Sequence, residues 1–363
     1  MATGFFFKSL EFRNYRGLRK LNLKDLKRIN IIGGKNGAGK STILDGIFLT
    51  LGRNNPFALL RPFQIKQSNV AFPDGLNYLF SDQDITSEVN ICADLANSRK
   101  LKLVLRMEPV KELHVSAFNG ISNRISSTIS TQSSDTGVKC EMSITDFSGT
   151  KTDKIFYWQQ SAEQLNLHIE KNNGAITPHA VIVSAGLSGN PKEDAERYSV
   201  LAKLNKIGKL IEVLQQIDPE LKGLSLFQEN GNPVLYAEFK NGDIRQTFLL
   251  GSGFQLILSV SMMLMTMKDG IFLFDEIESS IHYKFLEEFW KQITKLANEN
   301  NAQIFAVTHS SECIAAAIRG ITSTGNMQDL NYIRLENRGS ETAAIQYTGE
   351  ELSDAFEFNS EVR

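Results

Sequence analysis

The run Gly33-Gly34-Lys35-Asn36-Gly37-Ala38-Gly39-Lys40-Ser41-Thr42 carries the first chemistry in this chain. From Gly34 to Ser41 its spacing is G-x-x-x-x-G-K-[ST]. Glycines let a backbone curl until several N–H groups point at one anion, and a helix N-terminus adds its positive dipole end. Lys40 then reaches the β- and γ-phosphates of a nucleotide, and the Ser41 hydroxyl ligates Mg²⁺. Gly34, Asn36, Gly37, Ala38, Gly39, Lys40, Ser41 and Thr42 are the candidate nucleotide-binding residues.

A phosphate loop needs a second half-site with a metal-holding acid and a group that activates water. Asp275 ends the apolar run Ile271-Phe272-Leu273-Phe274, the place for an acid that holds Mg²⁺. Glu276 follows directly and is placed to polarise the attacking water. His309 closes another apolar run, Gln303 to Val307, and is placed to sense or stabilise the γ-phosphate. Lys40, Glu276 and His309 are the candidate catalytic residues, and Ser41 and Asp275 the candidate metal ligands.

These residues converge only if the elements between them are arranged correctly. Phe5–Phe12 and Leu18–Leu23 read as a strand pair, and Arg28–Ile32 as a short strand that runs into the loop. Ile43, Leu44, Ile47, Phe48 and Leu51 then recur at helical spacing. Short β-like runs follow at 88–95, 101–107, 138–145, 154–159 and 179–185. Residues 116–136 hold ten Ser/Thr and read as a polar loop. One helix is expected over 193–217, and a hairpin of 233–239 with 245–250 through Asn241-Gly242. Gly251-Ser252-Gly253 opens a helix to about Met267, whose methionines read as core packing. All-apolar strands alternating with helices argue for a parallel sheet covered on both faces.

Composition sets the outer limits. The chain has 363 residues, 42% apolar and 22% charged, with a net charge of −2. This excludes a disordered or disulfide-dense chain and a uniformly basic nucleic-acid binder. Charge is uneven: residues 1–40 carry ten Lys/Arg against two acids, and the last fifteen residues hold five acids and one Arg. Cys92, Cys140 and Cys313 lie far apart, so a reducing compartment fits best. The Phe5–Phe7 run is too short for a leader, and the apolar stretch 256–267 too short for a membrane span, which takes about 20 residues. A soluble cytoplasmic protein without a membrane partner is expected.

Together these residues resemble the ABC-type ATPases, and within them the SMC/RecF/OLD-like branch. Asn14-Tyr15-Arg16 resembles that branch's N-terminal strand motif. Ser252-Gly253-Phe254-Gln255 resembles the second half of the ABC signature, with Phe where Gly is usual. Phe272 to His282 resembles the Walker B run of a narrower group, the stand-alone bacterial AAA-family ATPases found beside effector genes. Gln303 to Ser310 and the tail from Gly349 to Arg363 match the same group. The resemblance implies ATP and Mg²⁺ as cofactors and two heads that sandwich ATP. Ser252 and Gly253 of one head would then contact nucleotide held by the other. Two positions depart from the pattern. Gly186-Leu187-Ser188-Gly189-Asn190 has no Gln where the Q-loop belongs, and His282 stands where an Asp is usual. Slow or trigger-dependent turnover follows from these departures.

The resulting expectation is an α/β ABC-type P-loop ATPase head. Residues 1–96 and 245–363 form a discontinuous nucleotide-binding core, 97–186 a mainly β insert, and 187–244 a small helical lobe. Resemblance to PARIS-type and Septu-type anti-phage ATPases implies a homo-oligomeric switch or scaffold that controls a separate effector, such as a nuclease or toxin. The competing reading is a RecF/SMC-like ATPase that contacts DNA, which the basic first 40 residues and a local net charge of +4 over 97–124 permit. A nuclease acting alone is disfavoured, because only 54 residues follow His309 and they hold no spaced carboxylate cluster.

Overall fold

Strand β1 (Phe7–Tyr15) buries Phe7, Leu10, Phe12 and Tyr15 and pairs antiparallel with β2 (Leu18–Leu23). In β3 (Ile29–Gly34), Ile29 to Gly33 are all buried. The computed structural model describes residues 6–52, 56–59, 74–96, 100–110, 137–145, 149–160, 165–170, 180–184, 191–339 and 341–358. Helix α1 (Lys40–Leu51) follows β3 directly. Five antiparallel strands come next: β4 (Val89–Leu95), β5 (Lys100–Val110), β6 (Gly137–Thr145), β7 (Lys151–Gln160) and β8 (Leu165–Glu170). Strand β9 (Ala180–Ser184) precedes helices α2 (Pro191–Lys203) and α3 (Ile207–Gln215). A small meander, β10 (Leu221–Glu229), β11 (Asn232–Phe239) and β12 (Ile244–Gln246), leads to α4 (Ser252–Thr266). The last third runs β13 (Ile271–Asp275), α5 (Tyr283–Glu299), β14 (Gln303–Val307), α6 (Ser311–Thr322), β15 (Leu330–Arg338), β16 (Glu341–Thr348) and α7 (Gly349–Glu357).

Two large sheets result. One is antiparallel, in the order β2-β1-β4-β5-β6-β7-β8. The other has the order β16-β15-β3-β14-β13-β9, parallel from β15 to β9 with β16 antiparallel at one edge. Its central strands β3, β13 and β14 are mostly apolar because both faces are covered. Phe272, Phe274, Ile304 and Ala306 face α4, α5 and α6. Ile271, Leu273, Phe305 and Val307 face the opposite way, toward α1 and the antiparallel sheet.

The side chain of Gln303 ties the two sheets. Its amide oxygen accepts from the Phe7 N–H at 2.9 Å, and its nitrogen donates to the carbonyls of Phe7 and Lys27, both at 2.9 Å. Buried polar groups are tolerated only when bonded in this way.

Several sequence expectations need correction. The helix expected over 193–217 is two helices. Asn205 takes a left-handed conformation (φ 56°), and Lys206 N–H bonds the Leu201 carbonyl while Asn205 N–H bonds that of Ala202. That is a Schellman ending, and the periodic apolar pattern runs across it without a mark. The segment 187–244 is not purely helical, because it contains the β10–β12 sheet. Its Leu201, Leu210, Leu214, Leu224 and Leu235 share one core with α4 and β13. The boundaries at 97 and 186 do not follow the sheets. Strands β5 to β8 continue the sheet begun by β1, β2 and β4, and β9 lies in the parallel sheet. The second hairpin strand expected over 245–250 is only the short β12, which passes into a 3-10 turn, Thr247–Leu249. The polar loop 116–136 lies outside the described residues.

Candidate functional site

The phosphate loop connects β3 to α1, and its glycines hold backbone conformations that other residues avoid. Gly34, Gly37 and Gly39 have φ of 128°, 80° and 92°. A Cβ on Gly34 would also lie 2.5 Å from the Leu335 carbonyl oxygen. Gly39 caps α1 and brings no side chain to the first-turn N–H groups, which leaves them for an anion. Lys40 lies back across its own loop. Its Nζ donates to the carbonyls of Gly34 at 2.8 Å and Lys35 at 3.1 Å. Burial lowers the Lys40 pKa, while the nearby carboxylates of Glu276, Asp275 and Glu278 oppose that shift. Ala38 is buried, Asn36 is exposed and Thr42 lies between.

Parallel strands place their C-terminal ends along one edge, where ligands collect. The Ser41 hydroxyl donates to Asp275 Oδ1 at 3.0 Å, joining the start of α1 to the end of β13. The next residue, Glu276, takes a left-handed conformation (φ 51°), which is uncommon without glycine. Its N–H bonds the Val307 carbonyl, and its carboxylate lies 3.1 Å from His309 Nδ1. The turn therefore aims Glu276 across to β14. Glu278 accepts a hydrogen bond from the Thr308 hydroxyl, and burial is the main force pushing its pKa above the usual carboxylate range.

Beside the loop is a cavity of about 390 Å³ lined by Gly34, Lys35, Asn36, Thr308, His309, Ile314 and Tyr332. Tyr332, on β15, packs so closely on the loop that a Cβ at Gly33 would sit 2.0 Å from its hydroxyl. The structure thus brings Lys40, Ser41, Asp275, Glu276 and His309 to one edge. It adds Glu278, Thr308 and Tyr332, which sequence reasoning left unassigned. Glu278 and Thr308 lie within the runs Phe272 to His282 and Gln303 to Ser310, three residues beyond Asp275 and one before His309. Tyr332 carries no such signal, because Asn331, Arg334 and Glu336 break the apolar pattern of its strand.

Ser252 and Gly253 begin α4, after Gly251. Ser252 is exposed, and a Cβ on Gly253 would lie 3.0 Å from the Ser280 carbonyl oxygen. Gln255 fixes the approach by donating to the carbonyls of Phe248 and Leu250 at 2.7 and 2.6 Å. No residue of α4 lines the cavity at the phosphate loop. Met262, Met263 and Met265 are buried in the core. His282 caps α5, its ring nitrogen accepting from the Lys284 N–H at 3.4 Å. The Gly186–Asn190 stretch lies outside the described residues.

The AAA ATPase domain family matches residues 60–314, more than half of the chain. The chain belongs to that family. As an AAA ATPase it converts ATP and water to ADP and phosphate. A Helicobacter pylori protein described as an ATP/GTP phosphatase is 21% identical, over 96% of this chain and 97% of its own length. An uncharacterized protein of Methanocaldococcus jannaschii is 45% identical over 51 residues, 14% of this chain and 23% of that protein. Among solved structures, an SMC head bound to the C-terminal winged-helix domain of ScpA covers 96% of this chain and 99% of its own, at 14% identity and a TM-score of 0.52. That likeness concerns the fold alone. No helix among the described residues is long and apolar enough to cross a membrane.

Proposed function

We propose that this AAA ATPase is a nucleotide-gated switch: two copies close on ATP, and the pair controls a separate effector protein in bacterial anti-phage defence. The observation that carries the pairing is the position of α4. Ser252 opens that helix, yet the cavity at the phosphate loop takes its lining from the end of β3 and its loop, the turn after β14, α6 and β15, and none from α4. A second copy would bring its own Ser252 and Gly253 N–H groups to the exposed γ-phosphate side.

Within one head the roles follow from chemistry. Lys40 and the loop amides bind the phosphates. Ser41 and Asp275 are hard oxygen donors converging to 3.0 Å, a pair that fits Mg²⁺. That ion takes few protein ligands and completes its shell with phosphates and water. When bound, Mg²⁺ neutralises charge on the phosphate oxygens. Glu276 accepts the proton of the attacking water, and His309 orients Glu276 and meets the γ-phosphate. The relative described as an ATP/GTP phosphatase supports phosphate release as the outcome. The effector and the defence role rest on resemblance to the PARIS-type and Septu-type ATPases. Cytoplasmic placement fits the three free cysteines.

The test is to purify the Glu276→Gln protein expressed with its neighbouring genes, and to take its native mass with and without Mg²⁺-ATP. The expected result is an assembly containing at least two copies and a second polypeptide whose association changes with nucleotide. A single copy under both conditions contradicts the proposal.

A further inference from the structure

Glu278 lies just past β13, on the 3-10 turn Ile277–Ser280. Its carboxylate accepts from the Thr308 hydroxyl, and that hydroxyl accepts from the Ser310 N–H at 3.0 Å. A hydroxyl has one proton to give. Because the proton goes to Glu278, a lone pair is left facing Ser310, and the short turn from 308 to 310 is held across its ends. His309 is the residue between them, with Nδ1 3.1 Å from Glu276 Oε1. Ser310 extends the chain of contacts by capping α6, its hydroxyl accepting from the Cys313 N–H at 3.2 Å.

The same 3-10 turn is pressed from the other side. The Ser280 carbonyl is so close to Gly253 that a Cβ there would sit 3.0 Å away. The turn carrying Glu278 is therefore clamped between the start of α4 and the turn holding His309. Partial burial of a carboxylate is costly unless it is hydrogen-bonded, and the Thr308 hydroxyl together with the N–H of Glu278 itself supplies those bonds.

We propose that Glu278 is a positioning residue for hydrolysis: through Thr308 it holds His309, and with it the Glu276 carboxylate, beside the phosphate loop, and it links that pair to the N-terminus of α4. This rests on the assignment of Glu276 and His309 to water activation. A nucleotide engaged by Ser252 and Gly253 is then felt at Glu276 of the same chain. The link runs through Ser280, Glu278, Thr308 and His309.

The test is a double-mutant cycle in the full chain, with Glu278→Ala, Thr308→Val, both together, and Thr308→Ser. The readouts are kcat and KM for Mg²⁺-ATP, affinity for a fluorescent ATP analogue, and the melting temperature. Each single change is expected to lower kcat about tenfold while KM and affinity stay within about twofold. The double variant should be no slower than the slower single, since both remove one contact, and Thr308→Ser should recover most of the rate. If Glu278→Ala fails to fold, Glu278→Leu fills the same volume and replaces it in the cycle. Near-normal kcat in either single, losses that multiply in the double, or KM rising in step with falling kcat would each overturn the proposal. Glu276→Gln is measured alongside. Normal turnover in that variant refutes the water-activation assignment. A slow Glu276→Gln beside normal Glu278→Ala and Thr308→Val refutes the positioning role alone.

Discussion

The Ser41 hydroxyl and the Asp275 carboxylate, 234 residues apart in sequence, meet at 3.0 Å. That contact joins the first turn of α1 to the end of β13. It depends on the sheet order that sets β3 next to β14 and β14 next to β13. Two oxygen donors are thereby aimed at one point beside the phosphate loop.

If that point is where Mg²⁺ sits, Asp275→Asn should raise the half-saturating Mg²⁺ concentration for hydrolysis and lower kcat about 100-fold, or about 2.7 kcal/mol in barrier. A Mg²⁺ titration of ATPase activity gives both quantities. An unchanged titration midpoint would remove Asp275 from the metal site.

Glu276→Gln keeps the shape of the side chain and removes its basicity. The variant should bind ATP as the wild type does and hydrolyse it at least about tenfold more slowly, about 1.4 kcal/mol. Lys40→Ala should instead lose nucleotide binding. Equilibrium binding of a labelled ATP analogue, set beside steady-state turnover, separates the two defects. Normal turnover by the glutamine variant would transfer the base role to another group.

Stability has its own handle at Asp194, buried at the start of α2. Its carboxylate accepts from Ser259 Oγ at 2.6 Å and pairs with Arg197 at 3.4 Å. Burial raises its pKa by more than Ser259 and Arg197 lower it. The folded state therefore holds this proton more tightly than the unfolded chain. The resulting stabilisation is complete below the ordinary aspartate range, about pH 4, and is lost as pH rises through the raised value. Thermal melts from pH 4 to 7 should show the wild type losing stability relative to Asp194→Asn, which keeps an oxygen for Ser259. A flat difference between the two proteins would contradict this.

Gln303→Leu should cost about 2–3 kcal/mol, since it takes from the Phe7 N–H and the Phe7 carbonyl the side-chain partner they now have between the two sheets, while the Lys27 carbonyl keeps Asn30. Denaturant unfolding at fixed pH measures the loss. A change under about 0.5 kcal/mol would mean that the junction between the sheets rearranges freely.

What was legible in the sequence follows from how the elements are buried. Strands β13 and β14 are covered on both faces and so carry the apolar runs 271–274 and 304–307, each leading directly into residues of the site. Strand β15 also lies in the parallel sheet, yet Asn331, Arg334 and Glu336 interrupt it, so its sequence shows no apolar run. Buried Asn331 bonds Asn30 of β3 at 3.4 Å, a polar pairing that no apolar pattern announces. The break at Asn205 is likewise silent, because the apolar periodicity continues on either side of a single left-handed residue. At the site, local spacing exposed the phosphate loop, Asp275, Glu276 and His309. The contact of Glu278 with Thr308 and the packing of Tyr332 on Gly33 depend on which strand ends and turns lie side by side, and that is a property of topology.

Completion of the site by a second copy is the central claim, and mixing two disabled proteins tests it most directly. Lys40→Ala removes one chain's own phosphate loop, and Ser252→Arg blocks what it offers its partner. Each variant alone should be inactive. Mixed, they should recover about a quarter of the wild-type ATPase rate, because random pairing across a two-fold interface makes half the pairs mixed, each with one intact site. Full activity of Ser252→Arg alone, or no recovery in the mixture, would contradict a site shared between two chains.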